Sequence, residues 1–172
     1  MEEVIRVPEE RIGVLIGLKG IVRKTISQKT KTKIEIDSQY GDVTLRGEGE
    51  DFFKAADIVK AIGRGFSPER AYKLFEDYYM LKVIDITGYS GKSSSTQKAK
   101  RGRVIGREGL ARMEIEKKTH SMISVQGKTI AIIARPEDIE QAAEAIEMLL
   151  GGAKHETMER YLEKESTEQF EL

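Results

Sequence analysis

Apolar and polar positions fall into one order over residues 4–62 and then into the same order again. Val4-Ile5-Arg6-Val7 alternates and predicts a strand, which Pro8 closes. A brief helix is predicted from Glu9 to Ile16, a second from Ile21 to about Lys31, and an alternating strand from Lys33 to Asp37. Tyr40-Gly41-Asp42 is a turn, and Val43 to Arg46 is the return strand, ended by Gly47. Apolar residues at 52, 55, 58, 59 and 62 give the spacing of a helix over Glu50 to Ile62. The predicted order is β-α-α-β-β-α.

The second pass is a shifted copy. Eighty-nine positions carry Ile16 onto Ile105, Gly17 onto Gly106, Gly20 onto Gly109, Arg23 onto Arg112 and Ile34 onto Ile123. Its first strand, Leu81 to Ile86, stands ten residues further from the glycines than its counterpart, and Gly88 to Gln97 has the composition of a flexible loop. After Val125 the shift drops to eighty-seven, which pairs Leu45 with Ile132, Ile62 with Leu149 and Gly65 with Gly152. Each copy adds one more helix. Ser67-Pro68 is a capped start for the first, and Lys154 to about Lys164 forms the second. Two similar modules follow, 1–77 and 78–172, the second with a basic flexible insert at 88–102.

Composition removes several classes of function. The absence of cysteine excludes disulfides and thiolate metal sites, and two histidines in different contexts give no metal centre. No apolar run reaches membrane-spanning length, and the charged N-terminus is unlike a signal peptide, so a soluble cytoplasmic protein is expected, with no membrane partner and no cofactor. The 34% charged content, without Cys or Trp, is common in proteins from hot environments. Net charge is zero, but its distribution is uneven. Val14 to Lys33 holds six basic residues and no acid, Gly88 to Arg103 holds five and no acid, and the tail from Glu156 to Leu172 carries a balance of −4. Local basic surfaces with acid elsewhere suit a protein that tracks phosphates.

Both basic stretches border a Gly-x-x-Gly turn between helices. Without Cβ atoms the backbone turns tightly and phosphates can approach its N–H groups. The following helix adds unpaired N–H groups and the positive end of its dipole. Lys19 in the first turn, with Arg23 and Lys24 just inside the helix, adds charge where phosphates would lie. A strand edge beside the helices can read bases, and Ile16, Ile26, Ile34 and Ile36 are either groove floor or plain core, core being favoured for most of them.

The pattern Ile-Gly-x-x-Gly, helix, Thr and two strands resembles the KH domain in its eukaryotic-type arrangement. GFSPERA after the first module, VIDITGYSGKS opening the second and AIEMLLGGAKHETMERYLEK closing it narrow the resemblance to the archaeal and eukaryotic two-KH ribosome-assembly proteins, the partner-of-Nob family. It implies an α+β fold class: two tandem KH domains, each a three-stranded antiparallel sheet packed by helices with an extra C-terminal helix. It also implies binding of single-stranded RNA, namely small-subunit rRNA near its 3′ end, and cooperation with a Nob-type endonuclease. A translation initiation factor, such as the alpha subunit of initiation factor two, is a further expected partner. Carried over residue by residue, the first clamp is Gly17, Leu18, Lys19 and Gly20 with Arg23 and Lys24. The second is Gly106, Arg107, Glu108 and Gly109 with Arg112. Glu108 departs from the basic or neutral residue usual inside the turn. Lys98, Lys100 and Arg101, on the inserted loop, are expected to compensate by wrapping the strand, and Arg103, just beyond it, is a further expected RNA contact.

Two other functions compete. Gly91-Lys92-Ser93 has the end of a P-loop, but Ile86 stands where its first glycine is required, which argues against nucleotide hydrolysis. No nucleophile elbow, metal triad or histidine–carboxylate pair supports an enzyme, and His155 is read as a capping or packing residue. A protein adaptor in translation or RNA processing, using KH folds as scaffold, is compatible with RNA binding.

Overall fold

The computed structural model describes residues 1–171, with the side chains of all but 167 and 169–171. Leu172, the end of the expected second domain, lies outside the described residues. The chain divides into two compact units, the first Met1–Leu81 and the second starting at Lys82, four residues beyond the expected boundary.

The first unit runs β1 (Glu2–Arg6), α1 (Glu9–Ile16), α2 (Ile21–Thr30), β2 (Lys33–Asp37), β3 (Asp42–Arg46), α3 (Glu50–Gly63) and α4 (Pro68–Ala71), the last continued by a 3-10 turn over Tyr72–Phe75. Its sheet has the order β1-β3-β2, antiparallel throughout, so β2 is an edge strand. The period-2 pattern decides the faces: Ile5, Ile34, Val43 and Leu45 are buried, while Glu2, Lys33, Glu35 and Arg46 face outward. On that outer face Arg46 bridges Glu2 at 2.6 Å and Glu35 at 3.0 Å. Lys33 and Arg46, both bonded to Glu35, hold its carboxyl below the usual carboxylate range. The helical spacing of α3 buries Phe52, Ala55, Ala56, Val59 and Ile62. Ser67 caps α4 as its sequence predicts, accepting the Arg70 N–H at 3.3 Å.

The second unit runs β4 (Met80–Asp85), α5 (Thr87–Ser90), α6 (Ser94–Ile105), a 3-10 turn over Arg107–Gly109, α7 (Leu110–Thr119), β5 (Met122–Gln126), β6 (Thr129–Ala134), α8 (Pro136–Leu150) and α9 (His155–Glu171). The sheet order is β4-β6-β5, leaving β5 on the edge as β2 is. Ile115, Ile123, Ile130, Ile132, Ile146 and Leu149 centre its core. Both units therefore carry the α+β architecture expected of them.

Two expectations are corrected. The insert at 88–102 is helical and not a flexible loop. Ser93 caps the start of α6, its hydroxyl accepting the Thr96 N–H at 3.4 Å, and just ahead of α5 Asp85 accepts the Thr87 N–H at 2.9 Å. The added helices also differ in size. In the first unit it is a single α turn plus a 3-10 turn, whereas α9 has 17 residues and runs beyond Lys164. The consequence shows at one repeated position. Lys29 lies 4.9 Å from the Phe75 ring centre, while its counterpart Lys118 bonds Glu163 of α9 at 3.5 Å.

Candidate nucleic-acid interface

Both Gly-x-x-Gly turns adopt one geometry. Gly17 and Gly106 leave the preceding helix at φ 75° and 73°, Lys19 and Glu108 sit left-handed at φ 54° and 58°, and Gly20 and Gly109 at φ 75° and 76°. The first glycine is required twice over. A Cβ on Gly17 would stand 2.8 Å from the Val22 nitrogen, and one on Gly106 2.9 Å from the Ala111 nitrogen. Gly20 and Gly109 face open space, so their φ alone requires glycine. No side chain caps the start of α2 or α7, which leaves those N–H groups available to an anion.

Leu18, Lys19, Arg23 and Lys24 are all exposed. Among the described residues neither Lys19 nor Lys24 is paired with a carboxylate. Behind the turn a cleft of about 340 Å³ is walled by Arg23, Lys24, Ser27 and Gln28 of α2 and by Lys33, Ile34 and Glu35 of β2. Arg23 Nη1 reaches the Ile34 carbonyl at 3.5 Å. Ile26 and Ile34 are core, while Ile16 and Ile36 are half-buried. The first module thus brings Arg23 and Lys24 to one cleft beside the β2 edge, with Lys19 exposed on the turn ahead of it.

The second module does so less completely. Arg107 and Lys98 are exposed, and Glu108 occupies the place of Lys19. Arg112 is partly neutralised: its Nη1 donates to Glu116 Oε1 at 2.9 Å, and Glu116 Oε2 accepts the Ile123 N–H at 2.9 Å. The insert's cations are not a loop poised to wrap a strand. Lys100 donates to the Leu150 carbonyl at 2.8 Å, and Arg101 to Gly127 O at 2.7 Å. Arg103 donates to Leu149 O at 2.8 Å and also to Ala153 O. The carbonyls at the end of α8 lack intrahelical partners and carry the negative end of the helix dipole, so cations gather there. His155 Nε2 lies 3.0 Å from the Arg103 carbonyl, so its ring contacts the last turn of α6 from the start of α9. Lys98 sits eight residues before Gly106 on α6, about 12 Å along the axis.

Sequence reasoning misses two groups. Arg11 donates to Ile62 O at 2.8 Å and Phe66 O at 2.7 Å, and burial lowers its pKa. Glu116, which the eighty-nine-residue shift places on Ser27, has the spacing of plain helix surface. Among the described residues no group of three or more His, Cys, Asp or Glu could hold a metal, and no helix is long and apolar enough to cross a membrane.

Comparison with known proteins matches the same two segments. Residues 80–167 match the eukaryotic type KH domain (KH-domain type I), and residues 2–61 match the KH domain. A KH domain-containing protein of Methanocaldococcus jannaschii is 47% identical over 168 residues, covering 95% of this chain and 73% of that protein. Dim2p from Pyrococcus horikoshii OT3 is 45% identical with a TM-score of 0.87, over 95% of this chain and 99% of that one. A chain in the a/eIF2alpha-aDim2p-rRNA complex of the same organism is 43% identical with a TM-score of 0.91, over 98% of this chain and 95% of that one.

Proposed function

This chain belongs to the KH-domain family, with two eukaryotic-type KH domains in tandem, and from that premise we propose that it holds single-stranded rRNA without catalysing its cleavage. The site is the 3′ end of small-subunit rRNA, and the setting is ribosome assembly. The observation that carries the RNA function is the repeated pairing of an uncapped helix start, delivered by a glycine turn, with an edge strand beside it. KH domains clamp about four nucleotides of single strand by such a turn. The choice of rRNA is supported by the similar Pyrococcus chain, which was solved with rRNA and a/eIF2alpha. An initiation factor alpha subunit is accordingly a proposed partner, while a Nob-type endonuclease rests on family resemblance alone.

Phosphates contact the N–H groups at Gly17–Gly20 and Gly106–Gly109. Lys19, Arg23 and Lys24 supply charge in the first module, and Lys98, Arg107 and Arg112 in the second. Crosslinking the protein to RNA in cells, with sequencing of the attached fragments, tests the proposal. A peak at the 3′ end of small-subunit rRNA is expected. A peak elsewhere overturns the rRNA assignment, and no enrichment above background overturns RNA binding.

A further inference from the structure

In the second module α7 turns two large apolar side chains to solvent. Leu110 is 58% exposed and Met113 52% exposed, three positions apart and so on one face of the helix. They line a cleft of about 630 Å³ together with Glu114, Lys117 and Lys118 of α7 and Glu159 of α9. The second wall exists because α9 is a full helix packed against α7, where the first module has only an α turn and a 3-10 turn. At the positions of Leu110, Met113 and Glu114 the first module carries Ile21, Lys24 and Thr25. Exposed apolar side chains that share one cleft mark an interaction surface.

Charge decides what the groove takes. Glu156 and Glu163 stand one turn on either side of Glu159, so α9 carries a stripe of three carboxylates. With Glu114 they make four acids against the two cations Lys117 and Lys118. Lys118 is shared between Glu114 and Glu163, at 3.5 Å from each. Glu159 has no ion pair among the described residues, and Glu114 holds its carboxyl above the ordinary glutamate range. RNA phosphates and anionic lipid headgroups are drawn to cations, and this excess of acid repels both. An incoming ammonium or guanidinium instead relieves the repulsion between Glu114 and Glu159. Two helices side by side offer a groove for a third, and apolar residues at i and i+3 match the spacing of a helical ligand. Met113 adapts its unbranched side chain to the shape it meets. We propose that the α7–α9 groove docks a basic amphipathic helix of a partner protein, with its apolar anchors on Leu110 and Met113 and a Lys or Arg at Glu114 and Glu159. This docking does not depend on RNA binding. Leu110 follows Gly109 directly, so the docked helix lies beside the second turn.

The test is fluorescence anisotropy of labelled peptides with the full chain, at moderate ionic strength. The probe is a Leu/Lys peptide of about fifteen residues with its leucines at helical spacing. A permuted peptide of the same composition and a Leu/Glu peptide of the same pattern are the references. The patterned Leu/Lys peptide is expected to bind about tenfold more tightly than the permuted one. Leu110→Ser with Met113→Ser lowers that affinity about tenfold. Glu159→Gln lowers it about threefold at low salt. Ile21→Ser, at the matching place in the first module, leaves it unchanged. Should the double variant fail to fold by circular dichroism, Met113→Lys, which installs the residue of the first module, decides in its place. Equal affinities for patterned and permuted peptides, or patterned binding untouched by the groove substitutions, overturn the proposal. So does a preference for the Leu/Glu peptide. Concentration-dependent association of the wild-type chain that Met113→Lys abolishes assigns the groove to a second copy, and loss of hexauridine binding in the double variant assigns it to RNA. Either result overturns the docking of a basic helix.

Discussion

Arg11 and Arg103 occupy positions three residues apart in the repeat register, yet each guanidinium clasps the same pair of carbonyls. Arg11 holds Ile62 and Phe66, and Arg103 holds their counterparts Leu149 and Ala153. Positions three apart on a helix share a face, so either one can deliver the same fork to the same helix end. Replacing either arginine by alanine is expected to lower the unfolding free energy of its own module by about 2 kcal/mol, the scale of charged hydrogen bonds to partly buried carbonyls. Lys98→Ala, at an exposed position of the same helix, should stay within about 0.5 kcal/mol. Urea denaturation followed by circular dichroism measures both.

The glycines of each turn should separate into two grades. Gly20→Ala and Gly109→Ala place a Cβ in open space at positive φ, at about 1–2 kcal/mol. Gly17→Ala and Gly106→Ala meet the same backbone penalty and also press a Cβ into the next helix, so they destabilise more. Equal denaturation midpoints for Gly17→Ala and Gly20→Ala would contradict the geometry.

Charge in the turn should be visible in the salt dependence of RNA binding. Lys19→Ala removes one phosphate contact, which reduces the slope of log affinity against log salt by about 0.7 for a single strand. Glu108→Lys gives the second turn the charge of the first and should strengthen binding by about threefold at low salt, fading as salt screens it. Anisotropy titrations across a salt series read both changes.

Asp57 gives a pH prediction. Burial raises its pKa above the ordinary aspartate value of 3.8, so the folded state holds its proton where the unfolded chain has released it. Stability contributed at this position therefore falls as pH rises through the range just above 3.8. Asp57→Asn should stabilise the protein at pH 7, with the gain vanishing toward the acid end where the wild-type carboxyl is neutral. Thermal melts of the two proteins across pH 3.5 to 7.5, roughly the span over which a raised carboxyl titrates, check the sign.

Element order and the two Gly-x-x-Gly turns were legible because their signals are local. A glycine at a fixed offset, a serine before a proline and apolar residues every third or fourth position each act within one turn of chain. The insert was not legible, since α6 buries Val104 and almost nothing else and shows little amphipathic pattern. Its helix is fixed by a serine cap and by Lys100 and Arg103, whose carbonyl partners lie 46–50 residues away. The same distance hid the fact that these cations serve a helix end. Glu116 was missed because its spacing is that of plain helix surface, and its bond to Ile123 needs the strand edge that only folding brings beside α7.

β2 and β5 are edge strands of their sheets. A bare row of amides there is also what a foreign strand would need in order to add itself and begin a fibril. Glu116, charged and seated on the Ile123 amide, blocks that addition in the second module. Any substitution at Glu116 therefore also bears on how readily copies of the chain polymerise.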